Sequence, residues 1–248
     1  MTGHYLRIAA YFLGAGGLIT GALATSQQKE LSPPVHDQRT GEVRGTITVV
    51  RKNEPAPVPP PLLERYGSHG ALGSAFHMRG ADGVTPKLSE KAVVYLEGDA
   101  LNKGVYSPPA EHPMLDQKDL QFHPQVLPII VGTTVDFPNR DNLFHNVFSY
   151  SEPKDFDLGR YPKDDSRSVT FDRPGVVRVY CDIHAHMNAT ILVLQHPFFA
   201  RPDNEGTFDI RGIPEGKYWL VFWYDRDIVE RRRVEVRTGA VVELGFTL

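Results

Sequence analysis

Residues 180–187 of the chain read Tyr-Cys-Asp-Ile-His-Ala-His-Met and concentrate side chains that bind metal ions. Cys181 is the single cysteine of the 248 residues, and His184, His186 and Met187 follow it within one short segment. Upstream, His145 follows a turn-forming run. Thiolate and thioether sulfur favour Cu(I), whereas imidazole also accommodates Cu(II), so this mixture of donors suits copper. The spacing therefore favours a copper centre.

Two other chemistries could use some of the same residues. Zinc prefers four strong tetrahedral ligands and gains little from a methionine. A catalytic Cys–His pair would usually take its base from a separate element of the chain, and it would leave Met187 without a role. A chance grouping on a β surface is the remaining alternative, although the only cysteine of the chain falls inside this segment.

Composition excludes several classes of protein. A single cysteine cannot form an intrachain disulfide, a four-cysteine zinc site or a c-type haem attachment. The 27 basic and 30 acidic residues give a net charge of -3, which leaves no electrostatic footprint for nucleic acid. We therefore expect no nucleic-acid partner, and neither a phosphate-binding glycine loop nor a G-x-S-x-G elbow is present in the sequence.

The elements that must position these residues are short strands. Apolar and polar residues alternate in many brief segments with turn residues between them, and no long amphipathic helix separates them, which predicts an all-β sandwich. A second, smaller β module is predicted after residue 197. The predicted strands lie at residues 43–50, 92–97, 121–138, 143–150, 168–172, 176–181, 189–195, 206–211, 217–224, 230–236 and 241–248.

The N-terminal segments predict export. Residues 1–24 combine a weakly basic start, an uncharged apolar run and a final Ala-Leu-Ala, which is the layout of a signal peptide cleaved near Ala24. A retained membrane anchor is the alternative, although the run is short for a span of about 20 residues. Residues 25–41 are predicted to be a flexible spacer, and a Pro/Gly-rich insertion is predicted at about residues 51–91. The expected compartment is a bacterial periplasm.

Part of the sequence resembles a known family. The region from about residue 93 to residue 194 looks like a cupredoxin, a type 1 blue-copper protein, and it is most similar to amicyanin and plastocyanin. Three segments in the right order carry the likeness: Val-Asp-Phe-Pro-Asn at 135–139 followed by His-Asn-Val at 145–147, Gly-Val-Val-Arg-Val-Tyr-Cys at 175–181, and the C-x2-H-x2-M spacing of Cys181, His184 and Met187.

The resemblance implies a Greek-key cupredoxin β-sandwich at residues 42–197 and one copper ion that cycles between Cu(I) and Cu(II). It implies that His145, Cys181 and His184 are equatorial ligands and that Met187 is the axial ligand, with His186 as a less favoured alternative. Asn146 would tie the two ligand loops together without binding the metal.

The function implied is single-electron transfer, not catalysis. The expected partners are periplasmic redox proteins such as a c-type cytochrome or a dehydrogenase, with no stable membrane insertion after signal cleavage. A copper chaperone or storage protein, a binding module with a structural or degenerate copper site, and a catalytic copper enzyme remain as alternatives. The enzyme is disfavoured because four ligands from the chain leave no open coordination position.

Residues 198–248 resemble carboxypeptidase regulatory-like (transthyretin-like) modules, which are generally non-catalytic. The likeness is carried by Asn-Glu-Gly-Thr-Phe-Asp-Ile at 204–210 and Ile-Pro-Glu-Gly-Lys-Tyr at 213–218. Trp219, Phe222 and Trp223 are expected to form the core of this module rather than a platform for sugars. The cluster of Arg231, Arg232 and Arg233 is expected to be a solvated strand edge rather than a contact for an acidic partner or lipid head groups.

Four further histidines could bind a metal. His112 and His123 invite a second copper site, and His69 and His77 lie within the predicted insertion. A structural role for the first pair, each next to a proline, and a solvated role for the second pair are the favoured interpretations.

Overall fold

Strands dominate the part of the chain that the structure, a computed structural model, describes, namely residues 40–49 and 87–248. The predicted signal peptide, most of the predicted spacer and insertion, His69 and His77 lie outside the described residues. The nearly all-β architecture predicted from the sequence is confirmed. The elements are β1 (Thr40–Thr48), α1 (Leu88–Lys91), β2 (Ala92–Glu97), a 3-10 turn (Leu101–Lys103), β3 (Asp116–Lys118), β4 (Gln121–His123), β5 (Val126–Ile130), β6 (Thr133–Pro138), β7 (His145–Ser151), β8 (Lys154–Tyr161), β9 (Ser166–Phe171), β10 (Gly175–Tyr180), β11 (Asn188–Leu194), β12 (Phe199–Ala200), β13 (Thr207–Pro214), β14 (Gly216–Tyr224), β15 (Asp227–Val236) and β16 (Val241–Thr247).

Strands β3 to β11 form one unit, which we call the central module. A five-stranded sheet has the order β5-β11-β10-β7-β8, and two-stranded sheets join β6 with β9 and β3 with β4. Within it, β5 and β11 run parallel, whereas β10 pairs antiparallel with β11. The sheets enclose an apolar core built around Phe122, Phe137, Tyr161 and Phe171. This core also contains Cys181 and Met187, so the candidate ligand segment is anchored on the inside of the sandwich.

The remaining elements form a second unit, which we call the flanking module. Its sheets have the orders β13-β1-β16 and β12-β2-β14-β15, and β1 runs parallel to β16. The sequence-based boundaries placed β1 and β2 with the copper motif, but both strands pair with C-terminal strands instead. The buried residues explain this arrangement: Val43 of β1 and Val94 of β2 pack in one core with Phe208, Phe222 and Phe246. Order along the chain alone could not reveal such pairing.

The two modules share an apolar contact. Leu192 of β11 packs with Val221 and Trp223 of β14, and Val93 and Tyr95 of β2 join the same cluster. Strands β11 and β14 are thus covered on both faces, which accounts for their nearly continuous apolar sequences. The Arg178 guanidinium adds a polar link, because it lies 5.6 Å from the centre of the Trp223 ring.

Two sequence expectations differ from the structure at particular positions. Strand β8 was not predicted, because this edge strand alternates exposed charged residues with half-buried ones and includes Gly159 at a φ of 63°. Trp219 was expected in the core but is 40% exposed, whereas Phe222 and Trp223 are buried as predicted. Trp219 lies on the opposite face of β14 from Phe222, beyond the part that the central module covers.

Within the described residues, no helix is long and apolar enough to cross a membrane.

Buried His196, two residues after the end of β11, gives a pH-dependent prediction. Its Nδ1 accepts a hydrogen bond from the Phe198 backbone N–H at 3.3 Å, and burial lowers the pKa of the imidazole. Because the folded pKa lies below the unfolded value of about 6.5, protonation favours the unfolded chain as the pH falls through that value. We expect His196→Gln to remove this loss, so that the stability of the wild type relative to the variant falls by about 1 kcal/mol between pH 7.5 and pH 5. Urea unfolding of both proteins at the two pH values measures it, and a pH-independent difference would contradict the prediction.

Candidate metal centre

Three predicted ligands converge at one end of the central module. His145 opens β7, Cys181 follows β10 directly, and His184 lies in the loop between β10 and β11. The His145 Nδ1 and His184 Nδ1 atoms are 3.0 Å apart, and the Cys181 Sγ lies 3.9 Å from the first and 3.7 Å from the second. Within the described ranges this is the one group of three or more His, Cys, Asp or Glu side chains close enough to hold a metal ion.

The geometry and chemistry of this group fit copper. Donor atoms that share one metal ion at roughly 2.0–2.3 Å must lie about 3–4 Å from one another, which is the separation of these three atoms. A thiolate with two imidazoles is a donor set that copper accepts in both oxidation states. Cys181 and His145 are 4% and 0% exposed, whereas His184 is half-buried. The site is therefore closed on the protein side and approaches solvent at His184.

Backbone hydrogen bonds close the ligand loop tightly. The Met187 N–H donates to the His184 carbonyl at 2.9 Å, and the Cys181 N–H donates to the Met187 carbonyl at 3.3 Å. The Met187 side chain is 1% exposed and packs in the same core as Cys181, whereas His186 is exposed. This placement favours Met187 over His186 as the source of a fourth ligand.

Asn146 connects the two ligand-bearing segments, as the family resemblance implied. Its Oδ1 accepts a hydrogen bond from the Asp182 N–H at 3.3 Å, directly after Cys181. Its Nδ2 donates to Asp157 Oδ1 of β8 at 2.6 Å. The side chain thus holds the β7 segment and the Cys181 loop in register, and bonds of this kind preserve ligand geometry.

Asp141 is a part of the site that sequence reasoning missed. Its Oδ2 lies 2.9 Å from His145 Nε2, so it orients the imidazole with Nδ1 towards Cys181. The Asp119 and Leu120 backbone N–H groups donate to the same carboxylate at 2.7 and 2.9 Å. The only signal in the sequence was an aspartate four residues before a histidine, which is too common a pattern to be specific.

Electrostatics around the site favour a neutral imidazole at His184 and a charged carboxylate at Asp141. Burial first, and then the neighbouring His145, lower the pKa of His184. Burial would raise the pKa of Asp141, but hydrogen bonds from the Leu120 backbone and from His145 outweigh it and lower the pKa. A neutral His184 imidazole offers its lone pair to a metal, and the ionised Asp141 carboxylate holds the His145 ring through the contact with its Nε2.

The Asp141 carboxylate leads to a testable expectation. Because it fixes the His145 ring, we expect Asp141→Ala to weaken copper affinity by about 10- to 100-fold. Competition with a chelator of known affinity measures the change. Asp155→Ala removes an exposed carboxylate from β8 and serves as the matched control. Equal copper affinity of the two variants would contradict the assigned role.

The other candidate histidines do not join this group. His112 Nδ1 lies 3.1 Å from Asp136 Oδ1, and His123 Nδ1 lies 3.4 Å from Glu90 Oε2. Each therefore faces one carboxylate, and neither belongs to a three-ligand cluster among the described residues.

Part of the chain is similar to known copper-binding proteins. Residues 112–194 match the family model of copper-binding proteins of the plastocyanin/azurin family. A search of curated proteins found no significant match.

Similar solved structures include a copper-containing nitrite reductase from Thermus scotoductus SA-01, with 27% identity over 37% of this chain and a TM-score of 0.33; the chain spans 24% of that protein. A reduced amicyanin variant has 20% identity, 41% coverage of this chain, 98% of its own length and a TM-score of 0.33. A purple cupredoxin from Nitrosopumilus maritimus has 25% identity, with coverages of 33% and 96% and a TM-score of 0.29.

Proposed function

We propose that this chain, whose residues 112–194 form a cupredoxin domain of the plastocyanin/azurin family, binds one type 1 copper ion and carries single electrons between redox partners. The observation that carries the proposal is the convergence of His145, Cys181 and His184 within 3.0–3.9 Å of one another at the end of a rigid sandwich. In this proposal Met187 supplies the weak axial ligand. Copper, when bound, supplies a centre that exchanges one electron.

The chain contributes a fixed ligand geometry. His145 is held by Asp141, the Cys181 loop is held by Asn146, and the loop is closed by its own backbone hydrogen bonds. Ligands mounted in this way move little when the oxidation state changes. A small structural change keeps the reorganisation cost of electron transfer low. This low cost is the physical reason for placing the ligands at the ends of strands.

Exposed apolar residues flank the site and support a docking role. Leu143 and Phe144, directly before His145, are 51% and 58% exposed, and Ile183, directly before His184, is 39% exposed. Exposed apolar side chains grouped at a functional site are typical of interaction surfaces. In our proposal a redox partner covers this rim and exchanges its electron through His184.

The proposed compartment and partners rest on features of the sequence. We propose a periplasmic protein that is delivered by the signal peptide and exchanges electrons with a c-type cytochrome or a dehydrogenase. We further propose that it is not an enzyme, because the four ligands proposed here leave no open position for a substrate.

Repeated redox cycling of the copper-loaded protein tests this function. We expect electrochemistry to give a reversible one-electron wave, with copper retained through many cycles in the presence of a Cu(I) chelator. Release of Cu(I) to the chelator after the first reduction would instead support a chaperone or storage role. A protein without a reversible wave would contradict electron transfer.

A further inference from the structure

The exposed face of β14 near its start carries an uncovered tryptophan. Trp219 lies on the same face as Val221 and Trp223, which pack in the cluster between the two modules. Trp219 lies beyond that cluster, is 40% exposed and lines a shallow groove of about 520 Å³.

Two cations without acceptors lie beside this indole. Arg233 is opposite Trp219 in the β14–β15 register, and its guanidinium lies 4.8 Å from the centre of the ring. Lys217 lines the same groove. Neither cation has a hydrogen-bond or ion-pair partner among residues 40–49 and 87–248. The neighbouring arginines differ, since each has a carboxylate partner: Arg231 with Glu97, Arg232 with Glu230, and Arg237 with Glu235.

This combination specifies the chemistry of a ligand. The Arg233 guanidinium lies over the Trp219 ring, and its planar fork of donors, which has no hydrogen-bond or ion-pair partner among the described residues, matches a carboxylate. The Lys217 ammonium adds a second positive charge. The part of the indole that Arg233 leaves exposed offers an apolar surface. A ligand that uses both features carries an apolar ring face and a carboxylate. The ring of a uronate sugar has both, because the C–H groups on one face of its chair are apolar and the ring carries a carboxylate.

We propose that this surface, formed by Lys217, Trp219 and Arg233, binds a saccharide chain of uronate units. One sugar ring packs against the indole, while its carboxylate and hydroxyl groups accept hydrogen bonds from Arg233 and Lys217. An acidic protein segment would use the two cations but would gain little from the tryptophan. Glu235 also lines the groove, but its carboxylate pairs with Arg237, so Lys217 and Arg233 leave a local positive charge that opposes the net charge of -3 of the whole chain.

Calorimetric titration of the purified full chain tests the proposal with three probes of equal length: an oligogalacturonate, a neutral oligosaccharide and an oligoglutamate. We expect saturable binding of the oligogalacturonate, with affinities at least about tenfold weaker for the other two. Equal binding of the oligoglutamate would show that charge alone acts and would overturn the saccharide assignment. Failure of the oligogalacturonate to bind would overturn it as well.

Variants locate the site and separate it from the copper centre. We expect Trp219→Ala and Arg233→Gln each to weaken oligogalacturonate binding by about tenfold. Arg173→Gln removes an exposed, ion-paired arginine from the central module and serves as the charge-matched control, with unchanged binding expected. Affinities in the first two variants equal to that of the control would refute the site. The copper absorption spectrum is expected to be unchanged in all three variants, so this test and that of the proposed function fail independently.

Discussion

Cys181→Ser is expected to abolish the intense visible absorption of the copper-loaded protein. That band arises from charge transfer between a thiolate and Cu(II), and the chain has no second cysteine to replace Cys181. Serine preserves the size of the side chain but offers a harder oxygen donor, which Cu(I) disfavours. The measurement is the visible spectrum of the variant after addition of Cu(II) and oxidant, at matched protein concentration.

His186→Ala is the matched control for that substitution. His186 belongs to the same loop but is exposed and lies outside the cluster of three ligands. We expect this variant to keep both the band and a stoichiometry of about one copper per chain. A band that survives Cys181→Ser, or one that disappears in His186→Ala alone, would contradict the assigned ligand set.

Val43→Asp is expected to cause the largest loss of stability in the flanking module. Val43 is fully buried in β1 between β13 and β16, so a carboxylate there has no solvent and no opposite charge beside it. An uncompensated buried charge costs on the order of 3–5 kcal/mol, a large part of a typical domain's stability. Both tryptophans lie in β14, so tryptophan fluorescence during urea unfolding reports on this module.

Thr48→Asp places the same charge at the exposed end of the same strand and is expected to leave the unfolding midpoint nearly unchanged. The pair of variants also tests the module assignment. If β1 belonged to the central module, as the order of the chain had suggested, Val43→Asp would remove the copper band and leave the tryptophan transition unchanged. That result would contradict the strand pairing.

Much of the candidate site could be proposed from the sequence because several of its residues are close together there. Cys181, His184 and Met187 lie within seven residues, and the segment that contains His145 and Asn146 has recognisable neighbours. The structure brings the first two together with His145 and shows the link through Asn146. The role of Asp141 could not be predicted, because it depends on the fold. The fold places the Asp119 and Leu120 N–H groups against the Asp141 carboxylate.

The division into modules could not be predicted from the sequence, because it depends on strand pairing between distant segments. Alternating apolar residues identify β1 and β2 as strands, but the pattern does not say which strand each pairs with. Their partners, β13, β14 and β16, lie more than a hundred residues later in the chain. The exposure of Trp219 has the same origin, because it depends on how far the central module extends over β14.

X-ray absorption at the copper edge of the loaded wild-type protein tests whether Cys181, His145 and His184 bind copper. We expect about one copper per chain, with one short bond to sulfur and two bonds to imidazole nitrogen. A spectrum fitted by nitrogen and oxygen donors alone, with no short copper–sulfur bond, would contradict it.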